Sequence, residues 1–280
     1  MHMKAAAFGI FLALAAGHAH AQGDTGPRTA PGAGRVSFVP FLGTDMRTGG
    51  DLTRGVSAVL PGGRSIANIV LDADTRLVFD KLRFEQAFQR PAEFGVSGAY
   101  GVWDNGEIFG TVRHVRASGR KAEIGKVFGE GFVFGRPFEL RSPILAAPSN
   151  YSALSAEAGY RHFLATGSAF LPYVAGAAGL TRTSGIDADI FVQSIASGEL
   201  AAGRIRLYDT SLSPTASIQI GLTYAFAPSA AIGVETGLRY EGKLRGNDRD
   251  ISLGNGGLTA LNEEGGRWSM PLRVTGRIAF

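Results

Sequence analysis

The 280-residue sequence contains no cysteine, which excludes both a disulfide framework and a thiolate metal site. Histidine is nearly as scarce: three of the five lie within the first twenty residues, leaving only His114 and His162 in the body of the chain. A transition-metal centre therefore has few nitrogen ligands to draw on. Charged residues make up only 19 % of the chain, and the net charge of +4 comes from scattered basic residues. That is not the dense basic stripe of a nucleic-acid-binding surface. No run of eighteen apolar residues occurs, so a membrane-spanning helix is excluded too.

The N-terminus has a recognisable export pattern. A short basic start, MHMK, precedes the apolar stretch 5–17 and then Ala19-His20-Ala21. Thirteen apolar residues are too few to cross a bilayer as a helix, and the small-residue site after them fits a cleaved secretory signal peptide. Residues 1–21 are expected to be that peptide. Residues 22–33, rich in Gly, Pro and Ala without periodicity, are expected to be a flexible leader. Residues 34–280 remain as the folded part.

What fills that part is alternation. In 268–280, Trp268, Met270, Leu272, Val274, Ile278 and Phe280 share one parity, and Ser269, Arg273, Thr275 and Arg277 the other. The same two-residue period, the mark of a strand with one apolar and one polar face, recurs in 93–103, 151–164, 216–226 and 230–242. It is weaker in 35–43, where Val39 and Phe41 blur it, and in 107–118. The stretch 169–181 is apolar on both parities and its faces stay unassigned. The total is eight strands.

The connections alternate between short and long. Asp104-Asn105-Gly106, 165–168 and 227–229 are tight, the first expected to turn on Asn-Gly. Segments 44–92, 119–150, 183–213 and 244–266 are long. A closed up-and-down barrel in a membrane has this asymmetry, and hydrocarbon admits strands only in a closed barrel. The expected fold is therefore all-β: an eight-stranded antiparallel up-and-down transmembrane β-barrel with long outer loops. Its apolar parity would face lipid and its polar parity the lumen. Phe226 and Phe280 would belong to an aromatic girdle at one rim, and Phe94, Tyr240 and Trp268 to one at the other. Trp103 has the opposite parity and is assigned to the turn.

The segments AEFGVSGAYGVWDNG, SAEAGYRHF, FLPYVAGAAGL, SIQIGLTYAFAPSAAIGVETGLRYEG and RWSMPLRVTGRIAF together resemble the small OmpA-like outer-membrane β-barrel superfamily, over about residues 34–280. The resemblance implies export to the bacterial outer membrane. It also implies a terminal aromatic, here Phe280, that serves as the signal read by the barrel assembly machinery. No peptidoglycan-binding segment follows Phe280, so no wall-tethering role is carried over.

Parity also selects candidate functional residues. Arg35, Glu93, Glu107, Arg113, Glu157, Arg161, Glu235, Arg239, Glu241, Arg273 and Arg277 all point to the expected lumen, where their mixed signs suggest an ion-pair network. Glu235 with Arg273 or Arg277 is the pair expected between neighbouring strands. Such a network could be a structural plug or a gate in a narrow passive pore; one sign of charge would have favoured selective transport. Catalysis finds little support. His114 and His162 carry the lipid-facing parity, and His162, with Ser168 across a turn, has no acid to orient it. No cofactor is expected, and neither is enzymatic activity; a lipid-modifying enzyme is the weakest of the functional readings. Three Asp-x-Asp pairs, Asp72/Asp74, Asp187/Asp189 and Asp248/Asp250, leave calcium open, against ordinary solvated aspartates. Arg116, Arg120, Lys121, Arg182, Lys243, Arg245 and Arg267 would form a basic rim towards outer-membrane lipids and lipopolysaccharide. The expected role is structural or surface interaction, by a monomer, through the long loops.

Overall fold

The computed structural model describes residues 32–280, apart from 61–64, 67–68, 71–74, 134–135, 165–168, 195–197, 248–258 and 263–264. The expected signal peptide and most of the leader lie outside the described residues. So do Asp72, Asp74, Ser168, Asp248 and Asp250.

The chain opens with β1 (Val36–Gly49). The first long segment then carries β2 (Asp51–Thr53), β3 (Val56–Leu60), β4 (Ser65–Ile66), β5 (Ile69–Val70), β6 (Thr75–Phe79), β7 (Leu82–Arg83) and a single helical turn, α1 (Phe84–Ala87). A tight hairpin follows, β8 (Ala92–Trp103) and β9 (Gly106–Ala117). The second long segment is itself a hairpin, β10 (Ala122–Val133) and β11 (Arg136–Pro148). Next come β12 (Tyr151–Phe163) and β13 (Phe170–Thr183), then a third hairpin, β14 (Ile186–Ser194) and β15 (Gly198–Tyr208). The chain ends with β16 (Ser211–Ala227), β17 (Ala230–Glu241), a 3-10 turn at Thr259–Asn262 and β18 (Arg267–Ala279).

Eight of these strands close a barrel in the order β1-β18-β17-β16-β13-β12-β9-β8. They are the eight read from the sequence, every neighbouring pair is antiparallel, and the seam closes between β1 and β18. The Phe280 amide adds a final bond to the Val36 carbonyl at 2.9 Å. The tight turns and both ends of the described chain lie at one end of the barrel, here the turn end; the long segments lie at the other, the loop end.

Three local expectations are corrected. The first hairpin turns on Asp104-Asn105, not Asn105-Gly106, because Trp103 pairs with Gly106 after a bulge at Gly101/Trp103. A Cβ at Gly106 would meet the Tyr160 hydroxyl, so the exposed Tyr160 side chain would have to shift to admit one. The same bulge resets the parity of Trp103. It ends β8 on the outer surface, 60 % exposed, against the Tyr160 ring at 5.7 Å. Third, β1 reaches Gly49 rather than stopping at residue 43, with a bulge between Asp45 and Arg47 that hides its continuation.

Where they are described, the first three long segments are built structure rather than loose loops. Strands β15-β14-β11-β10-β6-β3 form a six-stranded sheet at the loop end. The stretch 75–88 contains β6 and β7 followed by a helical turn, so strand and helix periods each hold over part of it. Leu77, Phe79, Ile124, Ile144, Ile186 and Tyr208 of the sheet bury a shared core with Leu52, Leu82, Phe84 and Phe88, which fold over the barrel mouth.

The barrel is inverted in its chemistry. Ile218, Phe226, Leu238, Val234, Trp268 and Val274, among many others, are large apolar side chains standing 46–70 % exposed on its outside. Six carboxylates and six arginines are buried within it. Water-soluble proteins do not expose a contiguous apolar belt of this kind while burying their charge. The belt, with Tyr240 against Trp268 at one rim and Phe170 against Tyr224 at the other, is the outside of a transmembrane barrel. Val39 and Phe41, which blurred β1, face inward, and so do Leu171, Tyr173 and Ala175 of β13. The inner wall near the turn end is apolar, which is why β13 reads as apolar on both faces.

Candidate functional site: the charged lumen

Strand pairing stacks the lumen charges from one end of the barrel to the other. At the turn end, Arg277 grips Glu107 with two bonds of 2.5 and 3.0 Å, and Arg161 donates to the same carboxylate at 2.5 Å. Arg161 lies 3.9 Å from Glu235, which stands directly across the β17–β18 pair from Arg273 and accepts from it at 2.6 Å. Arg273 also donates to Glu93 at 2.5 Å. Glu93 meets Arg239 at 3.3 Å and Arg113 at 3.8 Å. Arg113 bridges Glu157 and Glu241, both at 3.1 Å. At the loop end Arg267 holds Glu241 with two bonds of 2.9 and 3.0 Å and approaches Asp45 at 3.6 Å. The result is one continuous ladder in which six negative groups face six positive ones.

Buried charges need this degree of pairing, since an uncompensated ion costs far more than a pair recovers. Aromatic groups add to it. Tyr173 donates to Glu235 at 2.8 Å, and Tyr151 to Glu241 at 2.9 Å. The guanidinium groups of Arg161, Arg267 and Arg273 lie 4.7 Å over the rings of Tyr173, Tyr151 and Phe41. Gly221 makes the Tyr173 contact feasible, because a Cβ there would overlap the ring.

Ten of the eleven lumen residues selected by parity meet in this ladder. Arg35 does not stand with them: it is half-buried ahead of β1 at the turn-end rim. Phe280 is 62 % exposed on the outside of the seam. Two members were missed. Asp45 lies past residue 43, where the plain alternation of β1 ends, and Arg267, expected in the basic rim, stands one residue ahead of the apparent start of β18. Arg267 is 3 % exposed and belongs to the lumen. Its parity, shared with Arg273 and Arg277, was the available signal.

Among the described residues the lumen is densely filled. Phe163, Leu171, Phe109, Ala99, Tyr173 and Ala175 form an apolar cluster near the turn end. A cavity between Phe41, Phe109, Arg161, Glu235 and Arg273 measures about 10 Å³, room for no more than one water. At the loop end the Leu52, Phe84 and Phe88 cap covers the mouth.

Other candidates separate from the lumen. His162 contacts Asn105 and Tyr160, each at 3.4 Å, at the turn end. His114 meets the Ser152 hydroxyl at 3.1 Å on the outer wall, beside Phe94. That is base-to-nucleophile distance, a pair sequence reading did not foresee. Both residues lie in the β9–β12 ladder. Asp187 and Asp189, one of the proposed calcium pairs, sit in β14 facing the arginines of β15. Arg206 and Arg204 bond Asp187 at 2.8 and 3.0 Å. The Arg206 bond is the main reason the Asp187 carboxyl is held below the usual carboxylate range. No cluster of three or more metal-ligating side chains occurs among the described residues.

No family model matches the chain, and no curated protein matches it. Solved structures do. Ail of Yersinia pestis is 12 % identical, with 89 % of this chain and 99 % of that one covered and a TM-score of 0.38. Neisserial surface protein A is 13 % identical, with 89 % and 98 % covered and a TM-score of 0.40. The outer-membrane protease OmpT of Escherichia coli is 10 % identical, with 88 % and 97 % covered and a TM-score of 0.40. Likeness at that level carries no function across, and the assignment rests on strand order and on the inverted chemistry: the fold is an eight-stranded up-and-down transmembrane barrel.

Proposed function

We propose that this is a bacterial outer-membrane barrel with a sealed lumen, acting in structure or surface interaction through its loop-end sheet rather than in transport or catalysis. The observation that carries this reading is the ladder of six carboxylates and six arginines filling the lumen without net charge. The export pattern of residues 1–21 and the apolar belt support the outer membrane as its place. In that setting the turn end faces the periplasm and the six-stranded sheet stands outside the cell. Outer-membrane lipids, lipopolysaccharide and the barrel assembly machinery are its proposed partners, and a monomer its proposed state. Arg116 and Arg182, exposed on the outer wall near the loop end, suit anionic headgroups.

A narrow channel is the second reading. It is favoured by buried donors without acceptors, including Arg113 Nη1 and Arg239 Nη2, which leave the ladder room to rearrange. Single-channel recording in a planar bilayer separates the two. The wild type is expected to be silent, and the Arg273→Ala, Arg277→Ala double variant to conduct, because it removes two rungs and leaves Glu93, Glu107 and Glu235 each short of one guanidinium partner. Steady wild-type openings would make the protein a pore and sink the sealed reading.

A further inference from the structure

Between the top of the ladder and the cap lies a second cavity, of about 210 Å³. That is on the order of seven waters at ~30 Å³ each. It opens at the loop-end rim next to β1 and reaches inward past Phe84 and Phe88 to Tyr151, Arg267 and Asp45. The carboxylate of Asp45 is the unusual group. The residue is 2 % exposed, and neither oxygen receives a hydrogen bond. Its neighbour Arg267 spends its bonds on Glu241 and stays 3.6 Å away. A buried carboxylate accepting nothing is an expensive arrangement, and one that a donor entering the cavity would relieve.

The two ends of the cavity differ in composition. Aromatic rings and a carboxylate at the inner end are the environment of a cation, a role Arg267 fills only in part because its bonds go to Glu241. At the rim stand Arg47, Arg90 and Arg120, all exposed, and none forms an ion pair within 4.0 Å among the described residues. Three exposed guanidinium groups suit a phosphate. Glu85, also at the rim, is drawn aside by Arg83 at 3.6 Å.

We propose that this cavity binds an aminoalkyl phosphate, with its ammonium on Asp45 and its phosphate on Arg47, Arg90 and Arg120. The ligand is either a free zwitterion or the headgroup of a membrane phospholipid, as both present the same chemistry. The site is independent of whether the lumen conducts.

The test uses the full chain refolded in a detergent free of such headgroups. O-phosphoethanolamine is titrated calorimetrically, with ethanolamine and inorganic phosphate as half-ligands. The same protein in nanodiscs of phosphatidylethanolamine or phosphatidylglycerol is examined by native mass spectrometry for retained lipid. For the free ligand, affinity should exceed that of either half by at least about 10-fold, and Asp45→Asn should weaken it by at least about 10-fold, as charged hydrogen bonds of this kind do. Retention of phosphatidylethanolamine without affinity for O-phosphoethanolamine assigns the site to the lipid, provided Asp45→Asn abolishes retention. The Arg90→Ala, Arg120→Ala rim variant, which leaves every buried pair intact, must lower binding as well. It decides the matter if Asp45→Asn does not reach the heat-modifiable folded form. Absence of both kinds of binding, or binding unchanged in the rim variant, overturns the proposal.

Discussion

Glu93 shows how tightly single residues are tied in this lumen. Its two oxygens serve Arg273, Arg239 and Arg113, and its side chain is 1 % exposed. Glu93→Gln keeps the shape and removes the charge, leaving the middle of the ladder one positive charge in excess. Breaking a buried pair from one side typically costs ~3–5 kcal/mol. Urea unfolding of the refolded barrel should register a loss of that order. A variant as stable as the wild type would mean that the ladder is loosely solvated and that the distances between its rungs do not matter. At this scale the sequence was informative wherever strict alternation held: parity alone selected Arg113, Arg161, Glu157 and their partners. It fails at Asp45 because the alternation is plain only to residue 43: Asp45 keeps the inward parity of Val39 and Phe41, and the bulge that hides the rest of β1 follows it.

The hairpin of β14 and β15 carries the argument at the scale of the element. Asp-x-Asp in one strand faces Arg-x-Arg in the other, with Asp187 opposite Arg206 and Asp189 opposite Arg204. Read along the chain, two aspartates resemble a cation site; read across the ladder, they are one half of a charge-matched strand pair. Since the pairing lowers the folded pKa of Asp187 below its ordinary 3.8, its contribution is complete above that value. It fades as pH falls through the depressed one. Amide exchange across β14 and β15, corrected for intrinsic rates, should therefore lose protection below pH 3.8 in the wild type. Asp187→Asn should show the lower protection already at neutral pH, with a flatter acid response. Equal protection in the two proteins would make the pair ornamental. The barrel hairpins were legible because tight turns separate alternating runs. The loop-end hairpins were not, since their strands pack into a core beneath the sheet and their pattern follows that core rather than a lipid-facing belt.

At the scale of the whole molecule the decisive property is which exposed surfaces meet hydrocarbon. Val234 on β17 and Val59 on β3 are both exposed valines, at 51 % and 61 %. Val234 stands in the belt, with Val274 opposite it on β18. Val59 lies on the six-stranded sheet beyond the barrel. Local exposure cannot tell them apart, but the fold does. An arginine near mid-membrane on the lipid face of a barrel costs ~2–4 kcal/mol, whereas in water it costs little. Val234→Arg should therefore cut the yield of heat-modifiable barrel on refolding into lipid vesicles, and Val59→Arg should fold as the wild type does. Both variants folding normally would remove the belt from the bilayer and with it the inverted reading of the molecule. Failure of both would mean that the loop-end sheet is also immersed, which would leave no surface for display outside the cell.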